Sequence, residues 1–150
     1  MRTILISAIT CLLASSLSFA ADLTTPIGKW KTIDDNTGKQ KSVVEIYEEN
    51  GELKGKILNT FPDNANQAPE TICTQCSDKF HNQPIIGMTF LWGLKKEGNE
   101  YQGGHILDPK NGRIYKANIT MEDGGKKLKV RGFIGFSFIG RSQVWLRDDS

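Results

Sequence analysis

The sequence predicts an all-β fold, a single antiparallel up-and-down β-barrel of about eight strands. Three observations carry that expectation. Beyond residue 20 no window of helical length keeps apolar residues at the 3.6-residue spacing of an amphipathic helix. Short runs alternate apolar and polar residues instead, which is the period of a strand with one buried face. The chain also holds 15 glycines in 150 residues, above the average of ~7%, and many stand between those runs, where tight turns demand positive φ. A meander of hairpins must protect its edges, and at this length closure into a barrel does so. A two-sheet sandwich has the same periodicity, but connectivity by hairpins favours the barrel.

Composition bounds the function classes. The chain is 38% hydrophobic and 24% charged with a net charge of +2. That is too apolar for disorder and too balanced for a dedicated nucleic-acid or membrane-surface binder. The N-terminus reads as a signal peptide over residues 1–20: Arg2 is a minimal positive region, residues 4–17 form an apolar stretch, and Ser18-Phe19-Ala20 supplies small residues at a cleavage site. The stretch is short for a membrane span and no second span follows. Cys11 lacks the preceding small residues of a lipidation site. The expected product is a periplasmic or secreted single domain over residues 21–150, with no membrane span after cleavage and no nucleic-acid partner.

The strands follow in order. The first is residues 28–33, ended by Asp34-Asp35-Asn36-Thr37-Gly38. Residues 42–48 and 53–58 flank Asn50-Gly51, the strongest short hairpin signal. Residues 59–84 then break the rhythm: Pro62, Pro69, Pro84 and both cysteines of the mature chain mark a long loop, a feature that in compact domains is functional or tied down. The rhythm resumes over residues 87–94, 101–107, 114–121, 128–134 and 141–147. Their turns are Glu97-Gly98-Asn99, Asp108 to Gly112, Asp123-Gly124-Gly125 and the Gly135 to Gly140 corner. Tyr115, Ala117, Ile119 and Met121 share one face, and Leu128, Val130, Gly132 and Ile134 oppose Lys129, Arg131 and Phe133. A barrel of this size holds packed side chains or one small ligand.

Cys73-Thr74-Gln75-Cys76 supports three readings. In an oxidising compartment the pair closes a disulfide across a tight loop. A redox role needs a helix N-terminus to activate the first thiol, and no βαβ pattern surrounds it. Zinc needs four ligands, for which Cys73, Cys76, His81 and His105 are the Cys and His of the mature chain. The turns Asp34-Asp35-Asn36 and Asp108-x-x-Asn111 have oxygen donors for a hard cation, yet these residues stand in turns chiefly because their side chains hydrogen-bond nearby backbone. No phosphate loop or nucleophile elbow is present, a hydrolytic triad has no support, and no motif calls for a cofactor or a resident metal. The chain does not read as an enzyme.

The last two strands are the best candidates for binding. Arg131, Phe133, Gln143 and Trp145 combine aromatic surface with polar anchors, and His105 and Tyr115 join them as candidate ligand contacts. An inward Arg131 or Gln143 would anchor a carboxylate or amide headgroup in an apolar cup. The competing reading is that the aromatics fill the barrel and the arginines cap it by stacking on tryptophan.

Two resemblances add to this. Gly28-x-Trp30 on the first strand with Arg147 at the end of the last resembles the lipocalin-like (calycin) arrangement, in which a tryptophan packs under an arginine of the closing strand. That resemblance makes Trp30 and Arg147 structural. Gly28-x-Trp30-x-Thr32-x-Asp34-Asp35, Cys73-x-x-Cys76, Gly103-Gly104-x-Ile106-Leu107-Asp108-Pro109-x-Asn111-Gly112-x-x-Tyr115, Val130-Arg131-Gly132-x-Ile134-Gly135 and Gly140-Arg141-x-Gln143-x-Trp145 are similar to the secreted bacterial family named domain of unknown function 2147. The resemblance implies a Gram-negative envelope or secreted protein without an established activity and supplies no catalytic residues. The leading expectation is a lipocalin-like barrel binding a small apolar or amphipathic ligand. The alternatives are a packed barrel that docks an envelope protein partner, and a Cys/His zinc-binding or redox protein.

Overall fold

The computed structural model describes residues 22–150; the expected signal peptide and Cys11 lie outside the described residues. Eight strands form one closed antiparallel barrel in sequence order. They are β1 (Gly28–Ile33), β2 (Gln40–Glu49), β3 (Glu52–Thr60), β4 (Thr89–Glu97), β5 (Glu100–Asp108), β6 (Arg113–Glu122), β7 (Lys127–Phe133) and β8 (Gly140–Arg147). Among the described residues helix is confined to two single turns of 3₁₀ type, Asp78–Phe80 and Asp123–Gly125, and none is long and apolar enough to cross a membrane. Closure runs through β1 and β8, with Trp30 paired to Arg147 and Lys31 to Leu146. The sandwich alternative is thereby excluded.

The turns form where positive φ is available. Asn50 and Gly51 take φ 54° and 77° between β2 and β3, the pattern that matches the twist of the flanking strands. Gly112, at φ 72°, ends the β5–β6 turn. A Cβ there would lie 1.9 Å from the Gln75 carbonyl oxygen, so the long β3–β4 connection packs on bare backbone.

Alternation fills one end of the interior. Trp30, Ile46, Leu94, Ile119 and Leu128 are fully buried, and among the described residues the buried ones lie between Pro26 and Arg147. The closed end is capped as the tryptophan–arginine pairing requires. Arg147 places its guanidinium 4.3 Å above the Trp30 ring. It donates to the carbonyl oxygens of Gly125 (2.7 Å), Thr25 (2.8 Å) and Ile27 (3.1 Å). The Trp30 indole N–H donates to Pro26 O at 2.8 Å. Burial pushes the guanidinium pKa down from its ordinary value, and the three carbonyls offset that desolvation. The N-terminal strap and the closing strand are thus tied through one cation.

The β3–β4 connection, residues 61–88, is ordered by its own contacts. Cys73 and Cys76 form a disulfide with Cα atoms 5.4 Å apart, and both are buried. The Cys73 N–H donates to Gln83 O, and Cys73 O accepts from the Asn82 N–H. Ile72 and Pro84 form an isolated antiparallel bridge. Phe80 stacks on Trp92 at 5.6 Å, and Trp92 on His105 at 5.7 Å, so part of the connection covers the outer wall at β4 and β5.

Candidate functional site

Toward the end opposite Trp30 the interior residues shrink or become polar. Thr32, Ser42 and Gly132 occupy inward positions where the closed end carries large aliphatic residues, and a cavity of about 880 Å³ opens there. That lies within the range of small-molecule sites, ~300–1,000 Å³. Its floor and walls are apolar: Trp145, Phe90, Ile57, Ile106 and Val130. Phe90 and Trp145 lie 6.1 Å apart. The polar groups inside are few. The Thr32 and Ser42 hydroxyls share a hydrogen bond of 2.6 Å, and the Gln143 carboxamide oxygen accepts from the Trp145 indole N–H at 3.4 Å.

The rim is charged, and its charges tie the loops together. Arg141, at the start of β8, donates twice to one carboxylate oxygen of Asp35 in the β1–β2 loop, at 2.9 and 2.8 Å. Asp63 of the β3–β4 connection pairs with Lys41 of β2 and with Lys110 of the β5–β6 turn, the latter at 3.1 Å. Asp34 is a turn-former as expected: its carboxylate accepts from the N–H groups of Asn36 and Thr37 and from the Thr37 hydroxyl. Those bonds, Thr37's foremost, hold its pKa below the ordinary 3.8. Asp108 likewise accepts from the Lys110 N–H. An apolar bottle with a polar mouth suits a ligand that is apolar at one end and polar at the other.

The expected site residues divide in two. Gln143, Trp145 and Tyr115 line the cavity, with the Tyr115 hydroxyl accepting from Asn111 Nδ2 at 3.3 Å. Arg131 does not: it lies between the cavity-lining Val130 and Gly132, so alternation turns it outward, where its guanidinium donates to Ser142 Oγ at 3.1 Å and to Ser137 O. Phe133 follows on the same outward parity at the end of β7 yet still borders the cavity. His105 is exposed on the outer wall, stacked on Trp92. The physical cause is a register shift between Tyr101 and Gly104, with Gly103 at φ 74°. This bulge reverses the parity of β5, so that Gly104 and Ile106 face the interior and His105 does not.

The site residue that sequence reasoning missed is Arg141. It shares the inward parity of Gln143, Trp145 and Arg147 along β8, and that period of two was the available signal. Phe90 carried no such signal, because β4 is broken at Gly93, φ 77°, and Phe90 and Leu91 are both buried. The zinc reading loses its thiolates, since both sulfurs are joined in the disulfide, and His81 holds Nδ1 2.9 Å from Cys76 O; no helix begins at Cys73 to activate a thiol for redox work. Among the described residues no His, Cys, Asp and Glu gather as a metal site.

A solved structure described as protein HP1028 from the human pathogen Helicobacter pylori, belonging to the lipocalin family, superposes with a TM-score of 0.70 at 20% sequence identity, covering 87% of this chain and 86% of that one. At that identity the likeness concerns the fold. No curated protein matches the sequence. A family described as uncharacterized protein conserved in bacteria (DUF2147) matches over residues 28–147, from the first residue of β1 to the last of β8. The chain therefore belongs to that bacterial family, and its fold is a lipocalin-like barrel.

Proposed function

We propose that the protein is exported to the bacterial envelope and that its barrel holds one small apolar or amphipathic molecule. The apolar part lies against Trp145, Phe90 and Ile57, and the polar end meets Gln143 within the cavity or Arg141 at its rim. The observation that carries this reading is the unfilled, apolar-walled space of about 880 Å³; a packed barrel serving only as an interaction module would carry large side chains at Thr32, Ser42 and Gly132. The lipocalin family assignment of the Helicobacter pylori protein supports it by analogy of fold. Burying an acyl or aromatic group against such walls yields ~25 cal/mol per Å² of apolar surface removed from water, enough to retain an amphiphile with a single polar anchor.

The test uses the barrel's own tryptophans. Titration of the chain from Asp22 with the apolar dye N-phenyl-naphthylamine is expected to give saturable binding and energy transfer from tryptophan that falls on substituting Trp145, the tryptophan lining the cavity, with phenylalanine. Gly132→Phe is expected to abolish it, since a Cβ at Gly132 points between Ile106 and Tyr115 at 3.8 Å from each and the added ring enters the cavity. Unsaturable binding, or equal binding by the wild type and a folded Gly132→Phe variant, would refute the proposal.

A further inference from the structure

The hairpin joining β7 to β8 stands at the open end of the barrel and carries a cluster of apolar side chains in solvent. Ile134, Phe136, Phe138 and Ile139 are 62%, 67%, 77% and 57% exposed, more than scattered surface residues require. The Phe136 and Phe138 rings stack at 5.5 Å and project as one apolar knob. Part of the tip's backbone is held by hydrogen bonds. The Ile139 N–H donates to Phe136 O at 2.9 Å, the Ile134 N–H to Ile139 O at 3.3 Å, and Arg131 donates to Ser137 O.

The wall beneath the tip is cationic. Lys116 of β6 and Lys129 and Arg131 of β7 turn outward, across from Phe133, Thr120 and Asn118 in the register of the two strands. Among the described residues none of the three forms a salt bridge. Strands β7 and β8 contain no acid, and the one acid of β6, Glu122, stands at its far end. This asymmetry is invisible in a net charge of +2, because the acids are concentrated on the other strands and loops.

We propose that the Phe136–Phe138 tip and the Lys116, Lys129 and Arg131 wall dock the barrel on an anionic phospholipid bilayer. The two rings enter the acyl boundary and the three cations meet headgroup phosphates. Aromatic residues beside unpaired cations are the composition of interfacial membrane-binding surfaces. A bilayer takes a convex knob without a preformed groove. A second copy of the chain is a poor occupant, because a two-fold contact through this face sets like cations against one another. Docking goes beyond the ligand-binding proposal and does not depend on it, since the surface is complete whether the cavity is filled or empty.

The test is sedimentation of the chain from Asp22, which contains the whole barrel, with vesicles of phosphatidylglycerol and phosphatidylethanolamine and with vesicles of phosphatidylcholine alone. The wild type is expected to bind the anionic vesicles and to lose binding as salt is raised. The double substitution Phe136→Ser with Phe138→Ser is expected to weaken binding by about tenfold or more. Lys116→Glu with Lys129→Glu should weaken it by about tenfold. Melting and dye binding by the cavity are expected to stay as in the wild type, which separates failure of docking from failure of ligand binding. Absent binding, equal binding to both vesicle types, or undiminished binding by both folded variants would overturn the proposal. So would a solution dimer that the phenylalanine substitutions disperse, which would assign the tip to a second copy.

Discussion

Replacing Trp30 with alanine tests whether the closed end holds the barrel together. The side chain is fully buried, and truncating a buried tryptophan costs about 3–5 kcal/mol. Arg147 sits 4.3 Å over the lost ring, a desolvated cation–π contact contributing about 1–2 kcal/mol more. The sum, about 4–7 kcal/mol, is a large part of the ~5–15 kcal/mol by which domains are stable. At about 3–5 °C per kcal/mol for a chain of this size, Trp30→Ala should lower Tm by roughly 15 °C or more, or leave the barrel unfolded at room temperature. Trp30→Phe keeps a ring under the guanidinium but loses the N–H bond to Pro26 O, and should cost about 1–2 kcal/mol beyond the volume difference. The assay is a far-ultraviolet circular dichroism melt, paired with urea unfolding of both variants. A Trp30→Ala barrel melting within about 3 °C of the wild type, on the same scale of degrees per kcal/mol, would refute the assignment of this pair to barrel closure.

The remaining predictions address the mouth and the long connection. Arg141→Met and Gln143→Leu should each keep the melting temperature and weaken an amphiphile with an anionic head by about tenfold, measured by dye displacement with a fatty acid; unchanged affinity in both would leave the cavity without its polar anchor. Cys73 and Cys76 should show no free thiol under denaturing conditions without reductant. Because the ring they close is small, reduction should cost the barrel no more than about 2 kcal/mol, with faster amide exchange confined to residues 71–85. Gly112→Ala, which sets a methyl group against Gln75 O, should detach that connection and raise exchange over the same residues while β6 stays protected. For Asp34, whose folded-state pKa is lowered by the Thr37 hydrogen bonds, the ordering of the β1–β2 loop persists above the unfolded value and is lost only as pH falls through the lower folded one; the Thr37 amide shift followed by NMR should therefore titrate with a midpoint under 3.8, and a midpoint at or above it would refute the bond.

How much was legible in the sequence depended on parity. Hairpins were readable because Asn50-Gly51 and Asp123-Gly124 take positive φ, which few other residues tolerate, and closure followed from their succession. Along β7 and β8 the period of two is unbroken in the register, so Val130, Gly132, Gln143 and Trp145 fall on the inside as their spacing indicates. Arg131 has the chemistry of an anchor but not the spacing, and the structure places it outside with the odd-numbered residues of β7. In β4 and β5 no spacing rule would have served. The irregularities at Gly93 and at Gly103 depend on how two strands meet across the sheet, and a lone glycine in a strand does not say which way it shifts the register. The cavity itself was the least legible feature. Its volume comes from small residues on three different strands, Thr32, Ser42 and Gly132, whose shared height in the barrel is set by shear rather than by any local motif.

Whether the barrel carries a small molecule is read by native mass spectrometry of the protein purified from cells that make it. The expected result is a non-covalent adduct of a mass that fits a cavity of about 880 Å³, lost on denaturation and absent from a folded Gly132→Phe variant. A wild-type barrel that flies bare under conditions that preserve its fold, or an adduct equally present in the Gly132→Phe variant, would contradict it.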